Sequence, residues 1–305
     1  VIILIVLLVL GLAALMIIPF QVTGGILNAK LSYDAIDAAD YGLEATDVSL
    51  VTDDGLTLAA YLVEAETPKG AIVLISGLDN PPVRDFYSYA KMFQDAGFST
   101  LLVEMRSHGD SEGFGISMGM NEWLDVKAGA EYLEGLEDYK DLPIIAYGTS
   151  MGAGTVIIAG AQVDAIDAVI SASAFTNWGD LASFNMLAMG LSEGYVAIQK
   201  PFMDLSMGLK FGLGKMKYTP INQIKKLDKP ILLMHSKGDT QVPYECFEAL
   251  NRAAFRDENA DVSNVYIYTL AGDNHFVCQE EYLENPTEDI GFSGAVLSFL
   301  TQFGE

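Results

Sequence analysis

Short apolar runs alternate with segments of helical periodicity along most of the chain. Residues 45–65 alternate apolar and polar positions around Asp54-Gly55, which predicts a β-hairpin. Later apolar runs predict buried strands at "GAIVLIS", "FSTLLVE", "LPIIAYG", "DAVISAS", "KPILLMHS" and "NVYIYTL". Helical spacing separates most of these strands, and a final helix is predicted at about residues 289–303. The alternation indicates β-α-β units in a mostly parallel sheet, with the hairpin adding antiparallel strands at one edge.

One interval interrupts this alternation. Residues 175–224 contain no clean β-α unit but are rich in methionine and aromatic residues. The interval is either an ordinary helical insertion or a cap over a substrate pocket. We favour the cap, because flexible methionine side chains suit varied apolar ligands.

The first 20 residues, "VIILIVLLVLGLAALMIIPF", contain no charged residue. A helix of that length rises about 30 Å, the thickness of the hydrocarbon core of a bilayer. A cleaved signal peptide would have a shorter apolar region followed by small residues. We therefore predict a transmembrane-type helix over residues 1–20, a linker over 21–45 and a main domain over 46–305.

The charge of the chain limits its partners and indicates its location. Seventeen basic and 41 acidic residues give a formal net charge of −24, which disfavours binding to nucleic acid. Between Phe20 and Lys69 the only basic residue is Lys30, against nine acidic residues. Cytoplasmic flanks of membrane helices are usually enriched in Lys and Arg. We therefore expect a membrane-anchored protein whose main domain lies outside the cytoplasm.

A serine stands at the junction of a predicted strand and a predicted helix. Ser150 lies in "AYGTSMGAG", between Gly148 and Gly152. A nucleophilic serine needs this strand-turn-helix setting, in which glycines avoid clashes and the helix N-terminus supplies positive partial charge. The alternative is a glycine turn with no chemical role. The setting favours Ser150 as a nucleophile.

A serine nucleophile needs a base, and the chain has three histidines. His108 precedes the serine, and His235 lies inside a predicted strand; we interpret both as structural. His275 follows the last predicted strand, at the sheet edge where sites in open α/β sheets collect. We predict His275 as the base.

The acid that orients the base should lie between serine and histidine in this chain order. Asp239 follows the strand "KPILLMHS" at the same edge, and its carboxylate could hold Nδ1–H of His275. Asp273 is too close to the histidine in sequence, and Glu245 already lies inside the next predicted helix. A turn aspartate without a catalytic role is the alternative for Asp239.

From about residue 46 to residue 303 the chain resembles the α/β-hydrolase family. The matching pieces are G-T-S-M-G, K-G-D-T-Q-V-P and D-N-H-F, together with "RSHGDSEG", which is similar to a glycine-histidine loop of many members. The resemblance implies an eight-stranded, mostly parallel sheet with helices on both faces and a helical cap. It also implies a Ser150, Asp239 and His275 triad.

The resemblance further implies an oxyanion hole formed by the backbone N–H groups of Leu78 and Met151. Ser76 stands where many members have histidine. We therefore expect the hydrogen bonds that support the hole to differ from those of such members.

The expected activity is acyl transfer to Ser150 followed by hydrolysis, with a small acyl substrate and no metal or organic cofactor. An ester or thioester is favoured over a peptide. The alternative is a self-assembling subunit, pilin-like or part of a membrane complex, that contacts the membrane or copies of itself through residues 1–20 and displays its hydrolase domain, active or inactive. Such subunits resemble pilins, although Ile5 occupies a position where many bacterial pilins have Glu.

Two cysteines lie close in sequence to the predicted acid and base. Cys246 and Cys278 could form one disulfide between the two loops or remain two buried free thiols. Spacing alone does not establish the Cα separation that a disulfide requires.

Overall fold

The structure is a computed structural model that describes residues 2–34, 36–78, 81–255 and 264–304. Val1 and Glu305, the ends of two predicted segments, lie outside the described residues. In the N-terminal helix the side chains at 4, 7–9, 12–14, 26 and 27 are also outside the description.

An eight-stranded sheet forms the centre of the fold, in the order β1-β2-β4-β3-β5-β6-β7-β8. Strand β2 is antiparallel to both of its neighbours, and the strands from β4 across to β8 are parallel. This confirms the predicted mostly parallel sheet with a hairpin at one edge. The strands are β1 Thr46–Val51, β2 Thr57–Val63, β3 Gly70–Ile75, β4 Phe98–Val103, β5 Ile144–Thr149, β6 Ala168–Ala172, β7 Ile231–Ser236 and β8 Val265–Leu270.

Helices connect most of the parallel strands, as the alternating pattern predicts. The described helices are α1 Ile2–Leu27, α2 Tyr87–Asp95, α3 Trp123–Glu134, α4 Met151–Gly160, α5 Trp178–Ala188, α6 Glu193–Phe211, α7 Pro220–Gln223, α8 Tyr244–Ala254 and α9 Ile290–Leu300.

Two apolar cores lie on the two faces of the sheet, and β3 shows how one strand serves both. Ala71, Val73 and Ile75 belong to the core shared with α3, α4 and α8. Ile72 and Leu74 point the other way, into the core shared with α2 and α9. Successive side chains of a strand face opposite sides, so a strand buried on both faces is a continuous apolar run. This explains why the central strands lack an alternating pattern.

The interval between β6 and β7 is occupied by α5, α6 and α7. Their apolar side chains Trp178, Met203 and Met207 are buried in the same core as α3 and α4. The methionine-rich interval is therefore helical, and much of its apolar surface packs against the main domain.

The N-terminal apolar helix extends further than the sequence predicts. Helix α1 continues to Leu27, and near its end Thr23 Oγ1 lies 2.7 Å from Ser206 Oγ of α6, with both residues fully buried. In the part of the chain that the structure describes, no helix has both the length and the apolar character needed to cross a membrane. The predicted transmembrane helix over residues 1–20 is therefore not supported.

The segment after α1, predicted as part of a linker, pairs with the loop that follows β4. Leu31 N–H donates to Ser107 O at 2.8 Å, and Gly109 N–H donates to Leu31 O at 2.9 Å. Lys30 Nζ also donates to Ser111 O at 2.9 Å. These bonds make residues 29–33 a strap across the 106–115 loop.

A buried ion pair fixes the start of that loop. The Arg106 guanidinium donates to Asp125 Oδ1 at 2.8 and 2.9 Å, and the Arg106 backbone N–H donates to Asp125 Oδ2 at 2.8 Å. Asp125 on α3 is fully buried. Asp54 pairs with the outer side of the same guanidinium at 2.6 and 3.0 Å, but 39% of its side chain is exposed.

We expect Asp125→Ala to lower the free energy of unfolding by about 3–5 kcal/mol, because it leaves a buried guanidinium without its main partner. The control Asp54→Ala removes a half-exposed partner and should cost only about 1 kcal/mol. Urea unfolding followed by circular dichroism measures both. Equal losses of unfolding free energy in the two variants would show that the buried Asp125 contact stabilises the protein no more than the partly exposed Asp54 contact does.

Candidate active site

Ser150 occupies the turn between β5 and α4. Its φ of 55° and ψ of −118° lie outside the regions that non-glycine residues favour. Such strain persists only where the surrounding structure imposes it. Here the Ser150 N–H donates to Ala172 O of β6 at 2.8 Å, which fixes the turn to the neighbouring strand.

Two glycines permit this turn because the backbone segments approach closely. A Cβ on Gly148 would lie 2.3 Å from the Gly152 carbonyl oxygen, and a Cβ on Gly152 would lie 2.3 Å from Ser76 O. Both distances are far below van der Waals contact. The structure thus gives the reason for the two glycines in the sequence pattern.

The predicted base and acid are in contact. His275 Nδ1 lies 2.7 Å from Asp239 Oδ2, and both residues are buried. Asp239 Oδ1 accepts the backbone N–H groups of Gln241 at 2.8 Å and Val242 at 3.0 Å. Burial alone would raise the pKa of Asp239, but these bonds and His275 hold that pKa below its usual value. Asp239 is therefore a carboxylate at neutral pH and keeps the proton of the imidazole on Nδ1.

Within the described residues, the predicted nucleophile Ser150 and the predicted base His275 form no hydrogen bond. His275 Nε2 is buried and has no hydrogen-bond partner within the described residues. Catalytic hydrogen bonds are often long in structures without substrate and tighten in the complex. The arrangement leaves an acceptor nitrogen free to take a proton.

Backbone pairing brings the acid loop and the histidine loop together. The neighbouring parallel strands β7 and β8 end side by side, and their loops continue the pairing. Lys237 N–H donates to Leu270 O and Gly238 N–H donates to Gly272 O, each at 2.9 Å. The Ser236 hydroxyl also donates to Asn274 O, directly before His275.

The segment after β3 passes beside Ser150, where the resemblance placed one oxyanion donor. A Cβ on Gly77 would lie 3.2 Å from Ser150 Cβ, so the peptide between Gly77 and Leu78 is next to the serine. Met151 begins α4, and the first N–H groups of a helix have no carbonyl partner within it. Sequence reasoning missed one contact here: His108 Nε2 lies 3.0 Å from Leu78 O. The only sequence signal for it was the "RSHGDSEG" loop.

His235 lies against the predicted acid, and the two cysteines are buried near the acid and histidine loops. His235 is buried, and its Nε2 lies 3.0 Å from Val242 O and 3.6 Å from Asp239 Oδ2. Cys246 and Cys278 are buried free thiols, so the possible disulfide between the loops is absent. Burial raises the pKa of the Cys278 thiol to about 12, which keeps it protonated.

A cavity of about 240 Å³ lies between the segment of residues 117–120 and the helical interval of residues 175–224. Gly154 N–H donates to Ser150 O at 3.3 Å, and a Cβ on Gly154 would meet Pro220 at 2.8 Å and Phe175 at 3.6 Å. Pro220 and Phe175 line the cavity and lie against α4 at Gly154, four residues after Ser150. Its other walls are mostly apolar and include Met118, Met120, Met207, Met216 and Ile221.

Three features define a hydrolase of the α/β-hydrolase fold. They are the order of the strands in the sheet, the strained turn at Ser150 and the contact between the loops of Asp239 and His275. The family model described as serine aminopeptidase, S33, matches residues 66–281, which is more than half of the chain. The chain belongs to that family.

One relative is similar in sequence, and two solved structures are similar in fold. The chain is 26% identical over 251 residues to the uncharacterized protein YqkD of Bacillus subtilis, covering 80% of each chain. Its fold is similar to the Pyrococcus furiosus esterase Pf2001, with a TM-score of 0.72, 20% identity, and coverage of 92% of this chain and 98% of that one. It is also similar to Pyrococcus horikoshii acylaminoacyl peptidase, with a TM-score of 0.61 and 18% identity, covering 86% of this chain and 42% of the peptidase.

We expect Gly152→Ala to abolish activity and lower the melting temperature, because the new Cβ would displace Ser76 or α4 at a cost of about 1–3 kcal/mol or more. The control Gly294→Ala lies in α9, where no atom is within 4 Å of the added Cβ. That variant should keep its activity and gain up to about 1 kcal/mol of stability. An active Gly152→Ala enzyme with unchanged melting would contradict the close approach.

Proposed function

We propose that the protein is a serine hydrolase that cleaves an ester or similar acyl bond through an acyl-enzyme on Ser150. The observation that carries the proposal is the 2.7 Å contact between His275 Nδ1 and Asp239 Oδ2, together with a buried Nε2 that has no hydrogen-bond partner among the described residues. That nitrogen is the natural receiver of the Ser150 proton. Asp239 orients the ring and stabilises the imidazolium that forms.

In the proposed reaction, Ser150 Oγ attacks the substrate carbonyl carbon while His275 Nε2 takes the hydroxyl proton. The resulting oxyanion accepts hydrogen bonds from the Leu78 and Met151 N–H groups. The tetrahedral intermediate expels the leaving group, which takes the proton from His275. Water then repeats the sequence on the acyl-enzyme, with His275 again as base, and releases the acid.

The cavity supports a small acyl substrate with an apolar chain. Methionine and aromatic side chains make up half of its lining residues, and methionine adapts to ligands of varied shape. Trp178 also lines it, and the buried Trp178 Nε1 has no hydrogen-bond partner within the described residues. A polar atom along the acyl chain or leaving group could accept from this N–H. We therefore assign the acyl chain to the cavity.

The exposed apolar side chains of α1 favour a second candidate function, that of a self-assembling subunit. Ile2, Ile3 and Leu10 are 79%, 76% and 60% exposed, which is unusual for large apolar side chains of one helix. Copies of the chain, or a membrane surface, would cover them. A main domain outside the cytoplasm stays a prediction from the acid-rich flank.

We expect wild type to hydrolyse short p-nitrophenyl esters and to be labelled covalently by a fluorophosphonate at Ser150. Ser150→Ala should lose the label and lower kcat by several orders of magnitude, as nucleophile deletions do. Ser298→Ala on the exposed face of α9 is the control and should behave as wild type. Labelling and mass spectrometry of the modified peptide give the readout. A folded wild type that takes no label and cleaves no ester would overturn the enzymatic proposal.

We also expect Met216→Trp to narrow the range of acyl chains by filling the cavity. Its kcat/KM for a medium-chain ester should fall by about tenfold relative to acetate, since the pocket would lose room for a few methylenes. Met189→Trp is the matched control, because Met189 is 81% exposed at the end of α5. Chain-length profiles of both variants measure the effect. If the two variants show the same chain-length profile, the acyl chain does not bind in this cavity.

A further inference from the structure

Both ring nitrogens of His108 face carbonyl oxygens. Nδ1 lies 2.9 Å from Arg106 O, Nε2 lies 3.0 Å from Leu78 O, and the residue is 2% exposed. A carbonyl oxygen only accepts hydrogen bonds, so the nitrogen that bonds it must carry a proton. With the proton on Nε2, the ring donates to the Leu78 carbonyl, whereas the Nδ1 contact with Arg106 O stays within the loop of His108 itself.

The Leu78 carbonyl belongs to the peptide that follows the proposed oxyanion donor. The donor N–H lies in the peptide between Gly77 and Leu78, beside Ser150. When the next carbonyl is held, rotation about the backbone of Leu78 is restricted. An oxyanion donor is effective only if it is already aimed before charge develops, because reorientation during the reaction costs free energy.

His108 is itself held by elements that are distant in sequence. Leu31 N–H donates to Ser107 O, and Gly109 N–H donates to Leu31 O. Leu31 therefore bonds the residues on both sides of His108. The ring of Tyr33 lies 6.4 Å from the imidazole, at an interplanar angle of 24°. Residues 29–33, the strap, therefore cover the loop that carries the imidazole.

The same N-terminal segment also reaches the helices over the cavity. The Thr23 and Ser206 hydroxyls share a buried hydrogen bond of 2.7 Å between α1 and α6. One continuous stretch of chain thus contacts both α6, whose Asp204 and Met207 line the cavity, and the loop behind the oxyanion donor.

We propose that His108 is a positioning residue that aims the Leu78 N–H at the oxyanion, and that the strap holds His108 in place for this task. The proposal rests on the proposed function, because it requires the Leu78 N–H to be an oxyanion donor. His108 touches no reacting atom and acts through the Leu78 peptide alone.

Two amide substitutions separate the two ring nitrogens. In His108→Gln the longer side chain can place its amide N–H near the position of Nε2 and keep the bond to Leu78 O. In His108→Asn the shorter side chain reaches only the Nδ1 position and keeps the bond to Arg106 O. We expect His108→Asn to lower kcat about 10- to 100-fold, approaching the loss of an oxyanion donor, with KM nearly unchanged. We expect His108→Gln to stay within about threefold of wild type, since the neutral hydrogen bond is retained.

Thermal unfolding of both variants accompanies the kinetics and separates positioning from folding. If His108 only fills space, kcat would follow the stability of each variant, and the two amides would not differ in the predicted order. Equal kcat for Gln and Asn, whether normal or reduced, overturns the positioning role.

The strap is tested at Leu31 with a second pair. Leu31→Pro removes the N–H that bonds Ser107 O, whereas Leu31→Ala keeps the backbone and shortens only the side chain. We expect Leu31→Pro to lower kcat about threefold or more, since one backbone bond is lost, and Leu31→Ala to lower it less. Equal kcat in the pair overturns the role of the strap.

The behaviour of the wild type distinguishes a failure of the proposed function from a failure of the positioning role of His108. A wild type that neither cleaves esters nor takes the fluorophosphonate overturns the proposed function and, with it, this inference. An active wild type combined with indistinguishable Gln and Asn variants overturns the inference alone.

Discussion

The approach of three backbone segments at Ser150 is the constraint on which the rest of the site depends. The end of β3, the end of β5 and the start of α4 come closer than a Cβ would permit at Gly148 or Gly152. The serine between them is held at a positive φ. This strain lifts the hydroxyl out of the sheet and sets it at a helix N-terminus, where positive partial charge lies.

The acid and the base contact each other because the parallel strands β7 and β8 end side by side at one edge of the sheet. Asp239 follows β7 and His275 follows β8, so pairing of those strands sets the distance between their loops. A buried carboxylate needs compensation, and Asp239 receives it from two backbone N–H groups and from the imidazole. The same contacts that make burial of the carboxylate tolerable also orient the histidine.

The N-terminal segment connects parts of the molecule that sequence order keeps apart. Thr23 joins α1 to α6, and Leu31 joins the strap to the loop of His108. That loop is anchored at its start by the buried pair of Arg106 with Asp125. The loop is thus fixed on one side by a charge pair and on the other by the strap, and a single imidazole reaches from it to the segment beside Ser150.

The sequence by itself determined the alternation of strands and helices, the serine turn and the pairing of Asp239 with His275. These follow from periodicity and from loop positions along the chain, which are local signals. Tertiary structure decided the rest: the free state of both cysteines, the unmade bond from Ser150 to His275, and the contact of His108 with Leu78. The uncharged residues 1–20 predicted a membrane span, which the described part of the chain does not support. Hydropathy also does not show that the same helix continues to Leu27 or that Thr23 contacts Ser206 of α6. Each of these outcomes depends on distances between residues far apart in the chain, which periodicity and composition do not encode.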